Sequence, residues 1–206
     1  MTDAWWYLTI RKYSGSGPPE EIGRKVREGL LPALRQEPGF RAYHAARIDG
    51  GGGVFSVTVF DNHDAMMAAN TRALDWAGAN LGNLLKGPPE VTMADVKVHL
   101  DAERPGRDGY VMIRATEGLG PSAGVLPTVR DRLVPLSLAQ PGFRHLYTGR
   151  DEAQEGHSIA VSVFTNRDTA TAAHAQVVAL MAQHRDIWPK PTRIVLAGEV
   201  LVAVVA

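Results

Sequence analysis

Cysteine is absent from the 206 residues, which excludes disulfides, thiolate nucleophiles and cysteine-ligated metals. An excess of charge of one sign is also missing, since 22 Lys and Arg stand against 22 Asp and Glu. The chain therefore has neither the basic footprint of a nucleic-acid binder nor an acidic interaction tail. Nowhere do about 18 apolar residues follow one another; the apolar segment from Ile194 to Ala206 has the length of a buried strand. The first residues, Met1-Thr-Asp-Ala-Trp-Trp-Tyr7, lack the basic start and apolar run of a secretory leader. These absences lead to the expectation of a cytoplasmic protein that engages neither membrane nor nucleic acid. The length allows one or two domains with a sizeable core.

What is present is one unit written twice. At a shift of 103 positions Tyr7-Leu-Thr-Ile-Arg11 falls on Tyr110-Val-Met-Ile-Arg114, Gly15-Ser-Gly-Pro18 on Gly118-Leu-Gly-Pro121, and Pro38-Gly-Phe-Arg41 on Pro141-Gly-Phe-Arg144. Pro32 likewise meets Pro135, and Arg47 meets Arg150. One residue added in a hairpin moves the shift to 104, where Val57-Thr-Val-Phe60 meets Val161-Ser-Val-Phe164, and Asn62 and Asp64 meet Asn166 and Asp168. Solenoid units run about 20–50 residues, so this longer period is that of a small domain. The chain is expected to hold a first unit at 1–101, a linker at 102–108 rich in charge, Gly and Pro, and a second unit at 109–206.

Within each unit the hydrophobic period changes in a legible order. Trp5 to Tyr13 alternates, with Leu8 and Ile10 on one face and Tyr7, Thr9 and Arg11 on the other, the mark of a strand. Ile22, Val26, Leu30 and Leu34 then recur every fourth residue, predicting an amphipathic helix that Pro32 should kink or divide. Two strands, Phe40–Ile48 and Val54–Phe60, flank Asp-Gly-Gly-Gly-Gly, a hairpin signal. Phe40 and Phe143, each after Pro-Gly, are both expected to be buried under the helices. Asn62 reads as the N-cap of a second helix with Asp64 in its first turn, and Val91–Leu100 as a closing strand. The order β-α-β-β-α-β is the split ferredoxin-like unit. With both helices on one side, each sheet leaves a face to be covered. The expected fold is α+β: two tandem ferredoxin-like units packed sheet to sheet as a single-chain, pseudo-dimeric α+β barrel. Tyr7, Thr9 and Arg11, and Tyr110, Met112 and Arg114, are expected on the covered face. A monomer with an internal pseudo-two-fold should be stable, and a homodimer could form through a helix face.

Pro38-Gly-Phe-Arg41 and Pro141-Gly-Phe-Arg144, Asn62-His-Asp64 and Asn166-Arg-Asp168, and Gly198-Glu-Val200 resemble the antibiotic biosynthesis monooxygenase-like group of dimeric α+β barrel proteins. The resemblance runs over essentially the whole chain, once per half. It implies a cofactor-independent monooxygenase acting on an aromatic, quinol-type or polyketide-like small molecule. The alternative is a non-catalytic, small-molecule-binding or stress-responsive barrel of the same fold. Haem-degrading relatives pair a helix tryptophan with a first-strand asparagine and a histidine ten residues on. Trp76 is here accompanied by Thr9, Arg11 and Lys86, and Leu180 stands at its place in the second half. That pattern is broken, and no cofactor and no metal are expected.

The candidate site lies on the second helix of each unit. Its sheet-facing stripe should carry Met66, Ala69, Asn70 and Ala73, and in the other half Ala170, Ala173, His174 and Val177. Asn70 and His174 are equivalent, and the resemblance includes a histidine after Ala-x-x-Ala, as in Ala170-Thr-Ala-Ala-His174. A polar group in an apolar cleft can hydrogen-bond a phenol and assist its deprotonation, and imidazole suits the task because its ordinary pKa of about 6.5 lies near neutrality. The bland reading is a histidine bonded to backbone or solvent. His184 is expected at the edge of the same cleft or on a solvent shoulder, and Trp76 as a cleft wall or as packing. Arg11 with Arg114, and Arg47 with Arg150, read either as seam arginines or as holders of an acidic substrate. His44, His63, His99, His145 and His157 show no i, i+4 pair that would mark a metal site. Gly15-Ser-Gly17 and Gly118-Leu-Gly120 lack the spacing and lysine of a phosphate loop and read as turns.

Overall fold

The structure, a computed structural model, describes residues 5–102 and 109–206. Most of the expected linker, 103–108, lies outside the described residues. The first half runs β1 (Trp6–Ser14), α1 (Pro19–Lys25), a π-helical turn (Val26–Leu30), α2 (Leu31–Leu34), β2 (Phe40–Arg47), β3 (Gly53–Phe60), α3 (His63–Leu81) and β4 (Glu90–Asp101). The second runs β5 (Tyr110–Thr116), α4 (Ser122–Thr128), a π turn (Val129–Leu133), α5 (Val134–Leu138), β6 (Phe143–Asp151), β7 (Ser158–Phe164), α6 (Arg167–Gln183) and β8 (Arg193–Val205). Among the described residues no helix is long and apolar enough to cross a membrane.

The two π turns explain an oddity of the sequence. On an ideal α-helix a spacing of four drifts by about 40° per step, so Ile22, Val26, Leu30 and Leu34 would spiral off one face. The wider π turn takes up the drift, and all four residues are buried. The widening sits directly before Pro32 and Pro135, whose missing N–H and bulky ring disrupt normal α pairing. The i→i+5 bonds from Leu31 to Val26 and from Val134 to Val129 replace it. Each helix then turns back into a strand through Pro-Gly. Gly39 and Gly142 have φ of 78° and 71°, and the Phe40 and Phe143 N–H groups donate to Glu37 and Gln140 carbonyls at 3.2 Å. This is a type II turn, which places Pro second and wants Gly third. Asn62 and Asn166 cap α3 and α6, accepting from the Ala65 and Thr169 N–H groups at 2.9 and 3.0 Å.

Eight strands close into one antiparallel barrel in the order β1-β3-β2-β8-β5-β7-β6-β4. The halves are joined by main-chain hydrogen bonds as well as by facing sheets. β4 pairs with β1 over Glu90–Val96 and with β6 over Ala94–Asp101. β8 pairs with β5 over Arg193–Glu199 and with β2 over Val200–Val205. At each crossing the register shifts and a glycine permits close approach: a Cβ on Gly149 would overlap the Asp95 carbonyl, and one on Gly198 the Arg47 carbonyl. That contact is the physical reason for the glycine of Gly198-Glu-Val200.

The alternation of β1 is as expected, but its polarity is reversed. Leu8 and Ile10 point into the barrel, packed with Val57, Val59, Val111, Ile113 and Val161. Tyr7 and Tyr13 lie under the helices of the first half, and Tyr110 and Met112 under α6 with Ala170 and Ala173. Arg11 and Arg114 therefore face the helices and do not reach the opposing sheet. Both faces are covered, so alternation separates them without saying which cover belongs to which. Phe40 is buried edge-on to Phe60, whereas Phe143 is only partly buried beside Phe164. The second unit's first helices cover its strand start less completely. Phe40→Ala should cost about 3–5 kcal/mol and Phe143→Ala no more than about half as much, as read from denaturant unfolding midpoints.

The barrel interior holds a polar group that periodicity did not reveal. His44 and Tyr147 occupy equivalent positions and meet inside the barrel with ring centroids 6.3 Å apart. His145 lies 5.7 Å from His44 and donates from Nδ1 to Asp101 at 2.8 Å. Neither ring nitrogen of His44 has a hydrogen-bond partner. Burial first, then the neighbouring His145, pushes the His44 pKa down to about 3, against the opposing pull of Asp101. Between pH 6.5 and about 3 the unfolded chain takes up a proton that folded His44 refuses. His44 should thus leave stability intact above about pH 6.5 and erode it by up to about 1.4 kcal/mol per pH unit below. Unfolding midpoints measured from pH 7 to 4 should flatten in His44→Leu relative to the parent.

Candidate functional site

With the interior packed, the open spaces lie outside the barrel, where each half holds a cleft between its helices and its sheet. Each is narrow: about 40 Å³ is open in the first and about 50 Å³ in the second, well below the roughly 300–1,000 Å³ of a typical small-molecule site, so a ligand enters only where helix and sheet part. Their walls are mostly apolar, and at the floor of each stands an arginine.

Behind that floor the same three positions meet in both halves, of which only the arginine lines the cleft. In the first, buried Arg11 donates from Nε to Asn70 Oδ1 at 2.8 Å and from a terminal nitrogen to Thr58 Oγ1 at 2.9 Å. Burial holds its pKa below the usual value, partly offset by Tyr43 and Tyr13. In the second half Arg114 donates to Ser162, the equivalent of Thr58, and the third position is His174. Here the ring closes differently. Arg114 Nε and His174 Nδ1 are both buried without a hydrogen-bond partner. Burial alone lowers the Arg114 pKa to about 10. His174 is half-buried, and burial followed by the charge of Arg114 depresses its pKa. An imidazole held neutral beside an uncompensated guanidinium is an arrangement that accepts a proton while stabilising the anion left behind.

Arg11, Asn70 and Trp76 come together in the first half. Trp76 walls that cleft with its ring edge against the first-half π turn, where a Cβ on Gly29 would come within 2.7 Å of it. Arg114 and His174 come together in the second. His174 itself does not line the cleft; it stands one helical turn before Val177, which with Met181 does, and its Nδ1 is buried. His184 is not beside His174: ten residues on, about 15 Å along the helix axis, it caps α6 and packs edge-on to Trp188 at 6.2 Å. Arg150, one of the repeat-matched arginines, lines the second cleft together with Trp188 and Lys97, which the sequence did not mark. Thr58 and Ser162 were legible inside the Val-x-Val-Phe match. Trp188 had no equivalent to mark it, and Lys97 belongs to β4 of the other half. Among the described residues no group of three or more His, Asp or Glu side chains is placed to hold a metal.

No family model and no curated protein matches the chain. Solved structures do. A Fusobacterium nucleatum protein provisionally named a monooxygenase is 14% identical, with a TM-score of 0.74 over 100% of this chain and 96% of its own. A Lactobacillus acidophilus protein named in the same way is 12% identical, with a TM-score of 0.65 over 98% and 99%. An anthrone oxidase-like protein is 15% identical, with a TM-score of 0.57 over 97% and 93%. Chlorite dismutase structures match as well. At such identities the likeness shows the fold, and the fold is that of the dimeric α+β barrel proteins, with both units in one chain.

Proposed function

We propose that the protein is a cofactor-independent monooxygenase of small aromatic phenols or quinols, working in the cleft of the second half. The reading is carried by the partnerless pair of Arg114 Nε and His174 Nδ1, at the place where the first half has a closed Arg11–Asn70 hydrogen bond. The names given to the similar structures, two monooxygenases and an anthrone oxidase-like protein, support the same class. In the tautomer with its proton on Nε2, His174 takes the phenolic proton at Nδ1. Arg114 stabilises the phenolate, and the apolar walls exclude competing water. The phenolate is electron-rich enough to pass electrons to O₂. One oxygen atom enters a ring carbon and the other leaves as water, so that phenol plus O₂ gives quinone plus water. The first half, its arginine already bonded to Asn70, serves as scaffold.

Oxygen uptake with a panel of phenols, hydroquinones and anthrones tests this. His174→Ala should lower turnover by about 10²–10⁴-fold while leaving the unfolding midpoint nearly unchanged, because the side chain is half-exposed. Since the depressed His174 must be neutral to act, the acid limb of the rate profile should fall below the ordinary histidine value of about 6.5. Absence of uptake with the whole panel, or a His174→Ala variant that loses several kcal/mol of stability but no turnover, would overturn the assignment.

A further inference from the structure

The second cleft has a chemical asymmetry that a phenol alone does not use. Its lining holds three cationic side chains, Lys97, Arg114 and Arg150, and, among the described residues, no carboxylate. The equivalent positions of the first half differ. Leu201 stands in the first cleft where Lys97 stands in the second, and Arg47 is turned outward to Glu199. Arg150 instead turns inward at the start of α4, donating to Ser122 Oγ at 3.2 Å and to the Gly120 carbonyl. Both acceptors are neutral, so the charge of Arg150 is oriented by them without being cancelled. Lys97 is paired with Asp95 at 2.7 Å, a carboxylate that also accepts the Arg150 backbone N–H, and its ammonium lies 2.8 Å from the centroid of the Trp5 ring. Its charge is thereby engaged, and Arg150 is the cation that keeps the far end of the cleft positive.

The strand order sets how far this charge lies from Arg114. β5 carries Arg114 and β6 carries Arg150, with β7 between them. Two strand spacings amount to about 10 Å, and the pairing puts Arg114 and Thr148 both opposite Ala160, two residues from Arg150 along β6. The same lining includes the apolar side chains of Val125, Val129, Val177, Met181 and Trp188. A buried charge is costly unless compensated, and an apolar cleft with two separated cations favours, once helix and sheet part to admit it, an elongated body with an anionic group at each end.

We infer that the ligand of the second cleft is an elongated aromatic acid, with its phenol at Arg114 and His174 and a carboxylate about 10 Å away at Arg150. This rests on the reading of that cleft as the substrate site and narrows its substrate class. The planar fork of Arg150 suits a carboxylate.

The test compares 6-hydroxy-2-naphthoate with its methyl ester on the unmodified protein, by calorimetric titration and by oxygen uptake. The acid should bind about 10-fold or more tighter than the ester, and its preference should vanish in Arg150→Met and persist in part in Arg150→Lys, with unfolding midpoints confirming that both variants fold. Equal affinity of acid and ester overturns the inference, even if both are oxidised and the monooxygenase reading stands. Preferential binding of the acid without oxygen uptake supports the inference and removes the monooxygenase activity for this probe. Loss of preference in neither variant would also overturn it, by placing the carboxylate elsewhere.

Discussion

The constraint on which everything else depends is that no strand edge of either sheet is left unpaired. A four-stranded ferredoxin-like sheet has two open edges, each a row of unsatisfied backbone donors and acceptors. β4 and β8, at 12 and 13 residues the longest strands, remove all four edges by pairing with their own half first and with the other half after. The apolar insides of the sheets then face one another, and residues such as Leu8, Val57, Val111 and Val161 become a continuous core. Closure tolerates little at the crossings, where Gly149 and Gly198 let one backbone pass against another.

Closure also decides where a ligand can go. The interior is filled by aliphatic side chains and by the group of His44, His145 and Tyr147, so it offers packing and a pH-dependent strain. The outer faces keep the clefts, because helices resting on a twisted sheet touch it along a stripe and diverge elsewhere. Crossing strands contribute to these clefts from the opposite half: Lys97 to the second and Leu201 to the first. A cleft of one unit is therefore partly made by the other, and the two units need each other chemically as well as structurally.

Against that common frame the halves have diverged at a few positions. Asn70 accepts from Arg11 Nε, while the Nε of Arg114 beside His174 has no partner; a terminal nitrogen of Arg11 is also unpartnered. Arg47 faces outward to an acidic partner, while Arg150 faces the cleft. The backbone arrangement is held by features that repeat, namely the π turns before Pro32 and Pro135, the Pro-Gly turns and the asparagine caps. These carry the fold in both halves and leave the side chains on the cleft floor open to change in one.

Much of the architecture was written in local chemistry. Periodicity, Pro-Gly, Asn caps and the repeated order of elements each depend on residues close in sequence, and together they determined the ferredoxin-like units and their fusion into an α+β barrel. The equivalence of Asn70 and His174 was legible for the same reason. Three matters were decided only by tertiary structure. Alternation in β1 could not say that Leu8 rather than Arg11 faces the interior, since both faces are covered and both are largely apolar. The meeting of His44 with His145 and Tyr147 joins strands about a hundred residues apart, a distance over which no local period carries information. The cations of the second cleft come from three strands of both halves, so their convergence exists only once the barrel has closed.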